Sequence, residues 1–187
     1  MKLYVVRHGQ TDVNVKSGFY DESLNIDINE VGIKEAKEAA KICLDLNIGL
    51  IISSPMKRTV HTASIINELL KVEVICDERL EERKKGILSG KGHDFVDRES
   101  YWNYYVKQDY EGAETVKELC DRVQPFLDEI IEKYKDMKKN ILISTHSGTA
   151  RAIMCYFNGI PKDGNLNSLK QKTGEITEYI IEERNFV

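Results

Sequence analysis

The segment Arg7-His8-Gly9-Gln10-Thr11 directly follows the apolar run Leu3-Tyr4-Val5-Val6, and His146 directly follows a second run, Ile141-Leu142-Ile143-Ser144-Thr145. With both runs as strands, two imidazoles and a guanidinium reach the carboxyl edge of a sheet, where open α/β folds hold their ligands. Arg58 falls in the first turn of the helix expected after the run 51–54, so its guanidinium and the helix N-terminus point the same way. Ser147-Gly148 starts another helix with the same anion-holding geometry. Glu82 follows a third run and is a carboxyl able to supply a proton. Phosphoryl transfer asks for cations around the nonbridging oxygens, an in-line nucleophile and a proton for the leaving oxygen. These residue types meet all three needs. The pattern predicts a phosphate site with a histidine nucleophile.

Strands and helices in alternation must position those groups, and the chain carries the signals for both. The runs 3–6, 50–53, 72–76 and 141–145 are short, rich in β-branched residues and nearly continuously apolar, as central strands buried on two faces are. Residues 176–181 are expected to add a terminal strand. Asn29 is placed to cap a helix running to about Leu46, with a buried stripe at Ala36, Ala39, Ala40 and Cys43. Ser54-Pro55 reads as a cap followed by proline at the first helical position, with Val60, Ala63, Ile66 and Leu70 facing inward. The clearest amphipathic pattern runs from Val116 to Tyr134, with a kink or break expected at Pro125. A last helix is expected from about Ser147, carrying Ala152, Ile153 and Tyr156. The expected architecture is a three-layer α/β/α sandwich with a mostly parallel mixed sheet, in one domain over residues 1–187. Residues 84–111, rich in glycine, charge and aromatic rings, read as a loop or lid insertion over the site. Their run Tyr101, Trp102, Tyr104 and Tyr105 either walls the pocket or covers the core.

Composition narrows the class of partner. With 187 residues, 41% hydrophobic and 31% charged, the chain is built like one globular domain. A net charge of −4 spreads no basic surface for nucleic acid, so any anion site is a local concentration of Arg and His. No apolar run has the length of a membrane span or a signal-peptide core. A cytoplasmic protein with no membrane or nucleic-acid partner is the expectation, its oligomeric state left open. Cys43, Cys76, Cys120 and Cys155 sit scattered in apolar stretches and read as buried free thiols of a reducing compartment. The four His and four Cys show no metal-ligand spacing, so no zinc is expected.

Four blocks then carry a family resemblance. Arg7-His8-Gly9-Gln10-Thr11-Asp12-Val13-Asn14 resembles the R-H-G-x-T-x-x-N opening of the histidine phosphatase, or phosphoglycerate mutase-like, superfamily. Residues 53–63 resemble its S-S-x-x-x-R-x-x-x-T-A block, with Arg58 at the arginine, and residues 80–90 its L-x-E-x-x-x-G-x-x-x-G block, with Glu82 at the glutamate. Thr145-His146-Ser147-Gly148-Thr149-Ala150-Arg151 resembles the fourth, and Gly112-Ala113-Glu114-Thr115 the G-G-E-S before the long helix. The blocks fall in family order between residues 5 and 151.

The resemblance implies a phosphoglycerate mutase-like fold and assigns roles. His8 becomes the nucleophile and a phosphohistidine, Arg7, Arg58 and His146 hold the phosphoryl oxygens, and Glu82 protonates the leaving oxygen. Arg7 and Arg58 keep the His8 imidazole neutral by like-charge repulsion. Asn14, Gln10, Arg83 and Ser147 are expected to bind substrate, Arg83 and Lys91 at a second anionic group. Lys84 and Lys85 read as loop charges, His61 as a surface residue at the site edge, and His93 as solvent-exposed or contacting the leaving group. No metal or other cofactor is expected, because guanidinium and imidazole groups supply the positive charge. Gly18, Asp21 and the stretch 25–28 depart from the family pattern on the substrate side. The implied activity is a phosphomonoesterase acting on a small phosphorylated metabolite, with a phosphoglycerate mutase or a non-catalytic phosphate- or phosphoprotein-binding module as alternatives.

Overall fold

Each of the three inner strands of the sheet splits its side chains between two cores, and that split makes three layers. In a computed structural model, residues 1–16, 19, 24–108 and 110–181 are described; Gly18 and Asp21 lie outside them. Five strands, β1 (Lys2–Arg7), β2 (Ile48–Ser53), β3 (Glu73–Cys76), β4 (Asn140–Thr145) and β5 (Ile176–Ile180), form one sheet in the order β3-β2-β4-β1-β5. Only the β1–β5 pairing is antiparallel. Leu3, Val5, Ile141 and Ile143 enter one core with α5 (Val116–Tyr134) and α6 (Ser147–Asn158). Tyr4, Val6, Ile51 and Leu142 enter the other, under α2 (Glu30–Cys43) and α3 (Lys57–Leu70). The period-2 alternation of strands explains the division. The short helices α1 (Asp12–Val15) and α4 (Arg98–Tyr101) lie outside these layers, in the connections after β1 and β3.

Several expectations shift on contact with the fold. β3 is an edge strand with mostly exposed residues rather than a buried central one, because only β2 pairs with it. Asn29 does cap α2, accepting from the Gly32 N–H at 3.0 Å, but the helix ends at Cys43 rather than Leu46. α3 begins at Lys57, two residues beyond the proline, and its buried face includes Arg58, Thr59 and Thr62. Turning those polar groups toward the sheet leaves Val60 exposed. α5 runs unbroken through Pro125, which sits on its exposed face where water can satisfy the carbonyl left without a partner. Of the cysteines, Cys43 and Cys155 are buried, Cys120 is partly so, and Cys76 is exposed on the edge strand. Among the described residues no helix is long and apolar enough to cross a membrane.

Candidate active site

β1 and β4 lie side by side, with Arg7 paired to Thr145, so the next residue of each strand is a histidine at the same edge. The chain leaves β1 toward the α2–α3 layer and leaves β4 into α6 on the opposite face, which opens a crevice between them. The His8 N–H donates to Thr145 O at 2.9 Å, continuing the ladder by one bond. The two imidazoles meet edge to face with ring centres 5.3 Å apart.

His8 is 4% exposed, and its Nδ1 lies 2.8 Å from Gly9 O. A carbonyl only accepts, so Nδ1 carries the proton and Nε2 keeps its lone pair. Burial, then Arg58 and Arg7, push the imidazole's pKa down to about 3. Gly9 is fixed in turn, its N–H donating to Thr62 Oγ1 at 3.0 Å. A Cβ at Gly9 would stand 2.4 Å from Gly32 O, so the loop after β1 presses on α2 at a place only glycine fits.

His146 is fully buried beside His8, with Nε2 2.8 Å from Ser54 Oγ and Nδ1 making no hydrogen bond. Burial, Arg58 and His8 hold its pKa far below the ordinary value, so the ring is neutral. Ser54 Oγ also accepts from the Met56 N–H at 3.4 Å. When the hydroxyl gives its own proton to His146 Nε2, the ring proton sits on Nδ1 and makes that nitrogen a donor. Arg7 donates from Nη1 to Gln171 O at 2.9 Å, while its Nε is buried without an acceptor. Burial lowers the Arg7 pKa, against the pull of Glu82 and Glu35. Arg58, 3% exposed, joins Arg7 in the wall of a cavity of about 270 Å³.

Glu82 accepts from the Arg83 N–H at 2.8 Å and from the Gly148 N–H at 3.0 Å, at the N-terminus of α6. Burial favours its protonated form, but Lys85, the Arg83 N–H, Arg58 and Arg7 outweigh burial and hold the carboxyl at about 2. A Cβ at Gly148 would lie 2.3 Å from Glu82 Oε1, so the carboxylate rests against bare backbone.

The cavity therefore gathers Arg7, His8, Asn14, Arg58, Glu82 and Ser147, with the buried His146 ring against that of His8. Asn14 gives its carbonyl oxygen to the Thr11 N–H at 2.9 Å, which leaves its amide N–H groups toward the cavity. Ser147 Oγ accepts from Arg151 at 2.7 Å. Two expected substrate contacts are not brought there. Gln10 turns to Asn29, whose Nδ2 donates to its Oε1 at 3.2 Å. Arg83 is 1% exposed and spends its donors on Glu114 O, Tyr101 O and Gln108 Oε1, with its guanidinium 4.0 Å over the Tyr101 ring. It is a strut under the site, because each of its three guanidinium nitrogens already donates to a protein acceptor. Lys91 also lies outside the wall, its ammonium 5.0 Å over Phe95.

Lys85 reverses the expectation of a loop charge: it is 6% exposed and lines the cavity. The Glu114 N–H donates to Lys84 O and the Ile87 N–H to Glu111 O, and this pinning turns Lys85 inward while Lys84 faces water. Gly86, at φ +50°, is the one local signal for that turn. Arg151, matched in the fourth block without a role, also lines the cavity. Of the aromatic run, Tyr101 and Trp102 wall the pocket, while Tyr105 is exposed. His93 lines the mouth, and His61 pairs with Asp27 at 2.9 Å on the surface.

The family model of the histidine phosphatase superfamily (branch 1) matches residues 3–187, and the chain belongs to that superfamily. It is 30% identical over 167 residues to phosphoserine phosphatase 1 of Hydrogenobacter thermophilus, covering 86% of this chain and 77% of the relative. It is 32% identical over 171 residues to a 2,3-bisphosphoglycerate-dependent phosphoglycerate mutase of Cytophaga hutchinsonii, covering 86% and 79%. Among solved structures, a mycobacterial glucosyl-3-phosphoglycerate phosphatase shares the fold with a TM-score of 0.82 at 24% identity, over 95% of this chain and 90% of that one.

Proposed function

We propose that this protein is a cofactor-independent phosphomonoesterase acting on a small phosphorylated metabolite through a phosphohistidine at His8. The observation that carries the reading is the His8 Nδ1 bond to Gly9 O, which leaves Nε2 with a free lone pair in a cavity shared with Arg7, Arg58 and Glu82. Arg7, Arg58, the His146 Nδ1–H and the Asn14 amide hold the nonbridging oxygens. Nε2 attacks phosphorus as the bond to the leaving oxygen breaks, and the Glu82 carboxyl gives that oxygen a proton. Glu82 then takes a proton from water, whose oxygen attacks phosphorus as the P–N bond breaks. Since Glu82 is ionised in the free protein, the first proton arrives with the substrate as its monoanion. Charge neutralisation around bound phosphate then lets the carboxyl hold it.

A panel of phosphomonoesters assayed for phosphate release, with His8→Ala as the paired variant, tests the reading. The expected result is release by the natural chain, none above blank by the variant, and an acid-labile phosphoryl label trapped on the natural chain alone. Turnover retained by His8→Ala sinks the mechanism. The identity to a phosphoglycerate mutase makes phosphoryl return to a second hydroxyl the competing outcome. Conversion of 3- to 2-phosphoglycerate with little free phosphate identifies it. Residues 84–111, which supply Lys85, His93, Val96, Arg98, Tyr101 and Trp102 to the wall, serve in this reading as the cover of the site.

A further inference from the structure

The cavity holds more positive charge than a phosphoryl group can use. Among the described residues, seven Lys and Arg side chains line it against a single carboxylate, Glu82, in a chain of net charge −4. Arg7, Arg58, Lys85 and Arg151 are withdrawn from water, the last three to 3, 6 and 5% exposure. Lys16, Arg98 and Lys170 stand exposed at the mouth. A phosphate monoanion and the Glu82 carboxylate bring two negative charges to the four withdrawn cations, and the mouth adds three more cations. Desolvated cations are costly without counter-charge. Burial, against the pull of Glu82 and with Arg7 and Arg83 adding to it, lowers the Arg151 pKa to about 10.

The surplus is concentrated at the one indole of the chain. The Arg151 guanidinium lies 4.1 Å from the centre of the Trp102 ring and the Lys85 ammonium 5.9 Å from it. Arg151 donates Nε to Leu166 O at 3.0 Å and Nη1 to Ser147 Oγ at 2.7 Å, which fixes its plane and leaves Nη2 outside both bonds. The Leu166 N–H donates to Trp102 O at 2.8 Å, tying the 166–170 turn to the same place. That turn contributes Asn167 and Lys170 to the wall.

We propose that Lys85, Arg151, Asn167 and Lys170, gathered at Trp102, form a subsite for a second anionic group on the substrate. The leaving group then carries a carboxylate or another phosphate, and a neutral alcohol or sugar is a poor substrate. This rests on the phosphatase reading of the same cavity and names the class of molecule that reading leaves open. Glycerol 3-phosphate, 3-phosphoglycerate and glycerol 1,3-bisphosphate share one skeleton and differ in the far group: hydroxyl, carboxylate or phosphate.

Titration calorimetry of the three compounds into His8→Ala protein, which binds without turnover, reads the subsite directly. At low salt the better of the two doubly charged compounds is expected to bind at least about tenfold tighter than glycerol 3-phosphate. Whether the carboxylate or the phosphate gains more identifies the anion. Adding Lys85→Met, or Lys170→Ala at the exposed rim where folding is not at stake, is expected to shrink that ratio to about twofold. Equal affinities for all three compounds, or a ratio that survives both substitutions, overturns the subsite. Equal kcat/KM of the natural chain on glycerol 3-phosphate and 3-phosphoglycerate overturns it while the phosphatase reading stands. No binding and no turnover of any compound removes both.

Discussion

At His8 a single hydrogen bond decides which nitrogen keeps its lone pair, and burial first of all keeps the ring neutral. With the imidazole at about 3 and Glu82 at about 2, neither group titrates between pH 4 and 8 in the free protein. The pH dependence of kcat/KM on an alkyl phosphate then belongs to the substrate. It is expected to be flat through mildly acidic pH and to fall about tenfold per unit above the second phosphate pKa of about 6, as the proton-carrying monoanion disappears. A loss of activity on acidification centred near 6.5 would show His8 titrating normally and overturn this account. Ser54 is argued to be a positioning residue acting through His146. Ser54→Ala is expected to lower kcat/KM about tenfold, with Ser54→Thr restoring most of it. Equal loss in both variants would mark the hydroxyl as merely structural. His8, Arg58 and Glu82 were legible in the sequence because their blocks fix residue type and spacing together. Lys85 was not: two adjacent lysines look alike until the chain at 111–114 pins one of them inward.

At the scale of elements, the N-terminus of α6 matters most, since it supplies the Gly148 N–H to Glu82 and the packing that holds it. Gly148→Ala places a methyl 2.3 Å from Glu82 Oε1, so the carboxylate must move. The expected outcome is a loss of about 100-fold in kcat with the helical circular dichroism spectrum unchanged. Full activity in that variant would show that Glu82 need not sit where it does. Helix starts were readable where a side chain caps them, as at Asn29, and misread at Ser54-Pro55. There Ser54 serves His146, and the helix starts two residues later from Met56, which makes no side-chain cap. Of the kink or break expected at Pro125, the break does not occur, since the residue lies on the exposed face of α5 where water can take the orphaned carbonyl.

Across the whole molecule, burying two neutral histidines and an ionised glutamate couples stability to pH. His8 falls from 6.5 to about 3 on folding, and Glu82 from 4.5 to about 2. Both depressions stabilise the fold at neutral pH. That stability drains as pH drops below 6.5 for His8 and below 4.5 for Glu82, with His146 adding to the first window. His8 alone is worth at most about 3–5 kcal/mol between those limits. Thermal melts at pH 7, 5.5 and 4 are expected to show a steadily falling Tm, and an unchanged Tm would sink this linkage. The sequence by itself determined the order of the elements, where the main strands lie and which groups, Arg7, His8, Arg58 and Glu82, meet at one crevice, because apolar runs and short blocks are local properties. Only the tertiary structure decided that Arg83 braces the core while Lys85 and Arg151 charge the cavity. Which way a long cation points depends on acceptors and aromatic faces brought from distant segments, here Tyr101, Trp102, Glu114 and Leu166, and no local pattern encodes that meeting.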